Sequence, residues 1–97
     1  IVMEVNGYKI EPNAKLSGAN LEGANLEFAN LTNANLEGAN LYGANLSDAN
    51  LYRANLNSAD LTYANLTDAN LYRANLNAEL RGANLTGATM PDGTIHD

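Results

Sequence analysis

The sequence predicts an all-β solenoid, a chain that turns a corner every five residues and stacks its coils into a rod. Three observations carry the prediction. From Ala14 onward, Ala is followed two residues later by Leu in unit after unit. The unit is five residues long, a period that fits neither a straight helix nor a straight strand. Its last position is rich in Gly, Asp, Asn and Ser, the residues of tight turns.

The repeat runs from Ala14-Lys15-Leu16-Ser17-Gly18 to Ala88-Thr89-Met90-Pro91-Asp92 and comprises sixteen units. All begin with Ala, and the third position is Leu in fifteen and Met90 in the last. The second is Asn in twelve, with Lys15, Asp60, Glu79 and Thr89 as the exceptions. In a helix a five-residue step rotates the side chain by ~140°, so the leucines would wind around the axis and form no stripe. In a strand side chains alternate with period two, so successive leucines would flip between faces. A chain that buries its leucines together must turn once per unit. Ala and Leu then point inward from a short extended piece. The fifth position makes the corner, with Gly in six units (Gly18, Gly23, Gly38, Gly43, Gly82 and Gly87).

The variable positions bear on how many units close a coil. Ser47-Asp48, Tyr52-Arg53 and Asn57 recur twenty residues later as Thr67-Asp68, Tyr72-Arg73 and Asn77. A four-sided coil leaves that superperiod; a recent internal duplication leaves it too, so the pattern supports closure by four without requiring it. One irregularity interrupts the period, because Ala74 and Ala83 are nine residues apart where two units give ten. Either Ala74–Asn77 lacks its corner residue or Glu79–Gly82 lacks its leading Ala; Ala78-Glu79-Leu80-Arg81-Gly82 fits the pattern, which favours the first and predicts a distortion in the last coil.

These units resemble the pentapeptide-repeat family, whose pattern is Ala-(Asp/Asn)-Leu-x-x, from Ala14 to about Pro91. The resemblance implies a right-handed quadrilateral β-helix of about four coils. The closing segment from Ala88 to Asp97 resembles the ends of many cyanobacterial members, which implies a cyanobacterial source.

Residues 1–13 do not fit the repeat. They carry Ile1, Val2, Met3, Val5, Tyr8 and Ile10 around Asn6-Gly7, which reads as one or two strands or a hairpin covering the first coil. Solenoid ends expose pairing edges and need such caps. Residues 14–92 are assigned to the β-helix and 93–97 to a short polar tail. That tail is a weak cap, and members of the resembled family often dimerise end to end; a homodimer through the C-terminal end is therefore expected. The chain begins at Ile, which leaves open its being a segment of a larger protein.

Composition narrows the function. Eleven acidic against five basic residues give a net charge of −6. Direct nucleic-acid binding is disfavoured, because phosphates repel such a surface. No Cys is present, which removes thiol and disulfide chemistry. No apolar run approaches the ~20 residues of a membrane-crossing helix. Ile1–Val5 is too short for a secretory core, so a cytoplasmic location is expected. A Leu- and Ala-filled interior offers no cleft for catalysis or a cofactor. The single His96 has no ligand partner nearby in the sequence, so no metal is expected.

The expected function is a non-enzymatic scaffold or protein-interaction module with a protein partner. Four-sided closure stacks Tyr52 near Tyr72 and Arg53 near Arg73, with Asp48 and Asp68 at the preceding corner. Two readings of these columns stand. They are surface ladders in which Arg and Asp partly neutralise each other, or a contact patch, since Tyr and Arg are typical interface anchors. Phe28 falls at an outward corner and joins the candidate face. The resembled family also includes inhibitors or protectors of DNA gyrase that mimic DNA. Duplex DNA would show about eleven charges over ~19 Å; this chain nets −6, and Arg53, Arg73 and Arg81 interrupt the acidic field.

Overall fold

A computed structural model describes residues 3–97. Ile1 and Val2, expected to contribute to the N-terminal cap, lie outside the described residues. Strands β1 (Met3–Val5) and β2 (Tyr8–Ile10) form an antiparallel hairpin with Met3 opposite Ile10. Asn6 and Gly7 turn it with φ of 53° and 83°. Positive φ at both central residues matches the right-handed twist of the flanking strands, which is why Asn-Gly suits this turn. Ile10 is buried, and Met3, Val5 and Tyr8 pack against the apolar core. The Tyr8 hydroxyl accepts the Asn20 amide at 3.3 Å, fastening the hairpin to the first coil.

From Ala14 the chain coils with four units per turn. Second-position residues pair in parallel with those one coil on: Lys15 with Asn35, Asn35 with Asn55 and Asn55 with Asn75. The spacing of twenty residues establishes the four-sided coil that the superperiod supported. Leu21 to Leu71 are fully enclosed, and no polar or charged residue is buried among the described residues.

The unit Ala34–Gly38 shows how its backbone is satisfied. The Asn35 amide donates to the Ala14 carbonyl of the preceding coil, at 2.9 Å, and the Leu36 amide to Asn55 of the following one, at 2.7 Å. The Gly38 amide reaches the Asn57 carbonyl at 2.9 Å, and the Ala34 amide closes the turn onto Leu31 at 3.0 Å. One amide remains, that of Glu37, and the Asn35 side-chain oxygen accepts it at 3.0 Å. This Asx-type bond is the reason for Asn at the second position. It recurs in fourteen of the sixteen units.

Of the exceptions to Asn, Asp60, Glu79 and Thr89 obey the same rule, whereas Lys15, in the first unit, carries no side-chain oxygen to offer. Asp60 and Glu79 supply a carboxylate oxygen to Thr62 and Arg81. The Thr62 hydroxyl and amide hold the Asp60 carboxyl below its ordinary range. Thr89 stands two residues before Pro91, which has no amide to satisfy.

Corners are type II turns, because the fifth residue alone takes a left-handed conformation. Its φ lies between 58° and 75° in fourteen units, eight of them without Gly. At two corners of the last coil a side chain larger than Gly would displace an exposed neighbour. A Cβ on Gly82 would crowd the Tyr63 ring, and one on Gly87 would crowd the Asp68 carboxylate.

The missing residue lies at the corner after Ala74–Asn77. Pairing changes there from twenty to nineteen residues, with Asp60 opposite Glu79 and Asn65 opposite Asn84. The Ala78 amide bonds to the Leu76 carbonyl at 2.8 Å, a tighter three-residue turn in place of the four-residue one. Stacked side chains hold this corner, with Asn77 donating to Asn57 at 2.9 Å and Asn57 to Glu37 at 3.3 Å. The tail folds back on one side of the last coil only. Ile95 pairs antiparallel with Thr89, and the His96 amide donates to Ala88. Leu76, Leu80, Leu85 and Met90 consequently remain only half-buried.

Two consequences are measurable by equilibrium denaturation. Leu46→Ala, in a closed coil, should cost about 2–5 kcal/mol, and Leu85→Ala clearly less. Asn50→Ala, which orphans the half-buried Tyr52 amide, should cost about 1–2 kcal/mol. Thr89→Ala should cost little, because no amide depends on it.

Candidate interaction face

The four sides of the coil differ in what they display. The fourth side carries Asn30, Asn50, Asn70 and Thr89 one above another. Two corners flank it. The corner before it stacks Phe28, Asp48, Asp68 and Gly87, joined by amide-to-carbonyl bonds from each fifth residue to the next coil. The corner after it stacks Tyr52-Arg53 on Tyr72-Arg73, with the Arg53 amide donating to the Tyr72 carbonyl at 3.0 Å. All seven candidate residues therefore border one side.

Within the second of these corners the side chains are organised by one another. The Tyr52 and Tyr72 rings stack with centroids 5.9 Å apart and planes 28° from parallel. Arg53 lies 5.5 Å from the centroid of Tyr52, and Arg73 lies 5.3 Å from that of Tyr72. The Arg53 Nε donates to the Tyr52 hydroxyl at 3.1 Å. That bond holds the Tyr52 phenol below its ordinary pKa, with the charges of Arg53 and Arg73 acting in the same direction. Both guanidinium groups thus rest on tyrosines, while Asp48 accepts from the Ser47 hydroxyl at 3.3 Å.

Phe28 heads the acidic column and is 70% exposed at a left-handed corner, φ 63°. A bulky side chain in that conformation is unusual. It borders a concavity of about 450 Å³ shared with Met3, Ile10 and Pro12 of the cap. A second, shallower concavity of about 560 Å³ lies at the other end of the same side, beside Tyr72, Thr89 and Asp92.

A second aromatic pair escaped the sequence reading. Tyr42 and Tyr63 meet edge to face at 5.6 Å and 85°, and Tyr63 is 58% exposed. Tyr42 is a fourth-position residue and Tyr63 a fifth-position one, so they are twenty-one residues apart and a twenty-residue comparison separates them. Comparing whole two-residue corners would have found them.

Among the described residues no group of His, Cys, Asp and Glu is placed to hold a metal ion. No helix there is long and apolar enough to cross a membrane. His96 lies in the exposed tail, with Nδ1 2.8 Å from the Asp97 carbonyl.

The Tyr52–Arg53 bond predicts a titration. Arg53→Gln should move the Tyr52 phenol back up towards its ordinary value, and Arg73→Gln should move it less. An NMR pH titration of the Tyr52 ring carbons reads both.

Comparison with known proteins is consistent with this architecture. The family of pentapeptide repeats matches in eight copies, over residues 13–48, 39–77 and 49–92. A pentapeptide repeat protein from Nostoc PCC 7120 is 44% identical, with a TM-score of 0.77, over 78% of this chain and 64% of that one. The chain thus spans somewhat less than two thirds of that relative. One from the Arabidopsis thaliana thylakoid lumen is 35% identical over 89% and 68% of the two chains, with a TM-score of 0.47. One from the cyanobacterium Cyanothece 51142 is 38% identical over 88% and 55%, also with a TM-score of 0.47. A search of the curated proteins finds no match. The coil is the right-handed quadrilateral β-helix of such proteins, and the chain belongs to the pentapeptide repeat family.

Proposed function

We propose that the chain is a non-enzymatic scaffold or protein-interaction module whose contact surface is the fourth side of the coil. The observation that carries the reading is the ordered column of Tyr52, Arg53, Tyr72 and Arg73 at the edge of a flat side. Tyr and Arg dominate binding energy at interfaces, and side chains held in place before contact lose less entropy on binding. The interior supports the non-enzymatic part, since Leu and Ala fill it. Phe28 adds an exposed apolar anchor to the same side.

A second mode of association draws support from the C-terminal end. The tail covers one side of the last coil, and Leu76, Leu80 and Leu85 stay half-buried. A homodimer packed end to end would cover them.

Partner capture tests the reading. Immobilised protein is exposed to lysate beside a folded variant with Tyr52, Arg53, Tyr72 and Arg73 changed to Ala. A specific partner lost in the variant is the expected result. A partner retained equally by both would remove the fourth side from the proposal. Gyrase among the captured proteins would instead favour DNA mimicry.

A further inference from the structure

We propose that the fourth side is self-complementary, and that a second copy of this chain packs against it side by side and in parallel. The proposal rests on the reading of this side as an interaction surface and names its partner. On its two inner coils the side is bordered by charges of opposite sign, while Asp92 closes the basic edge at the last coil. Asp48 and Asp68 stack along one edge, and Arg53 and Arg73 along the other. Between them stand neutral side chains, Asn50 and Asn70 on those two coils.

Symmetry decides how two such sides can meet. A two-fold axis parallel to the coil axis carries the acidic edge of one copy onto the basic edge of the other. A two-fold axis across the coil would set acid on acid and base on base, and like charges in direct opposition repel. The axial arrangement also preserves height. Asp48 and Arg53 are five residues apart, a quarter of a coil, or ~1.2 Å of axial rise at a ~4.8 Å coil spacing. Asp48 therefore faces Arg53 of the second copy, and Asp68 faces Arg73, each pair occurring twice.

Several features suit the side to this use. The guanidinium groups are already held over tyrosine rings, which lowers the ordering cost of pairing. Phe28, at the top of the acidic edge, comes opposite Thr32 and Asn33 at the top of the other, and its exposed ring gains cover. The whole accessible surface, both ends included, is 5040 Å², so one of six roughly equal faces contributes on the order of 800 Å². Two such sides reach the range of specific interfaces, which begins at ~1,200 Å² in total. Because the charged pairs lie at the rim, each contributes little, and the association should be weak and sensitive to salt.

Charge reversal tests the proposal without disturbing the fold. The chain already places Asp and Arg at the same corner position with the same φ, 59° at Asp48 and 58° at Arg53. One variant carries Arg53→Asp with Arg73→Asp and so has two acidic edges. The other carries Asp48→Arg with Asp68→Arg and has two basic edges. Sedimentation of each alone, and of an equimolar mixture, should be run at up to about 1 mM protein in about 50 mM salt. The wild type should show a salt-sensitive association that each variant alone lacks, and the mixture should associate at least tenfold more tightly than either variant. Raising the salt tenfold should weaken the wild-type dimer. A wild type monomeric throughout, variants that associate as the wild type does, or a mixture no tighter than its components would overturn the proposal. End-to-end dimers are indifferent to these four side chains and would persist in both variants. If the mixture fails while a captured partner still depends on Tyr52, Arg53, Tyr72 and Arg73, only self-association is lost and the interaction surface stands.

Discussion

One amide per unit sets the terms for this molecule. A coil with a corner every five residues can satisfy four of five backbone donors through neighbouring coils and its own turn. The fourth-position amide faces neither. An acceptor has to come from a side chain two residues earlier, short enough to fold back and carrying an oxygen. Asn meets both conditions, and so does the carboxylate of Asp60. The rule explains the repeat more fully than hydrophobicity does, because it accounts for Asp60, Glu79 and Thr89 as well as for Asn. Where Pro91 removes the donor, Thr replaces Asn.

The same geometry governs what the surface can display. Each corner holds its fifth residue at positive φ, a conformation that most L-residues enter at a cost. Gly avoids that cost, and Asn and Asp tolerate it. Arg53, Arg73, Tyr63 and Phe28 occupy it nonetheless. Because the rod repeats every coil, a residue at such a corner stands directly over its counterpart, and display becomes columnar. On the two inner coils, the corner edges thus set like residues one above another, Asp48 on Asp68 and Arg53 on Arg73. Those edges border flat sides of Asn, and the fourth side has opposite charges on its two edges.

The ends obey a different constraint. Every inner coil has two neighbours, while the terminal coils have one each. At the N-terminal end the Asn6-Gly7 hairpin supplies cover and a hydroxyl for the Asn20 amide. At the C-terminal end the tail pairs with one side, and the leucines of the last coil are less enclosed. The missing residue after Asn77 falls in that same coil. There a tighter turn takes up the shortfall, and the ladder Glu37–Asn57–Asn77 keeps the corner in line.

Much of this was legible in the sequence, because the period is short and each position has one dominant demand. Ala and Leu two apart, with Gly at the fifth position, require an inward pair and a corner, and the place of the missing residue follows from the register of Ala78–Gly82. The hairpin was legible in Asn6-Gly7, whose turn chemistry is local. The role of Asn was not, because it answers a donor left over only once neighbouring coils have taken theirs. The Tyr42–Tyr63 contact was hidden for a similar reason: corners stack as whole turns, so residues one position out of register still meet. Nor does the sequence by itself say that the arginines rest on tyrosines, since Asp48 and Asp68 stand only one corner away and offer a competing charge. The sequence alone determined the repeat, its inward residues and its corners, all of them local demands of the backbone. Only the tertiary structure decided which side chains meet across coils and which edges border one side, because those neighbours lie nineteen to twenty-one residues apart and are set by closure of the coil.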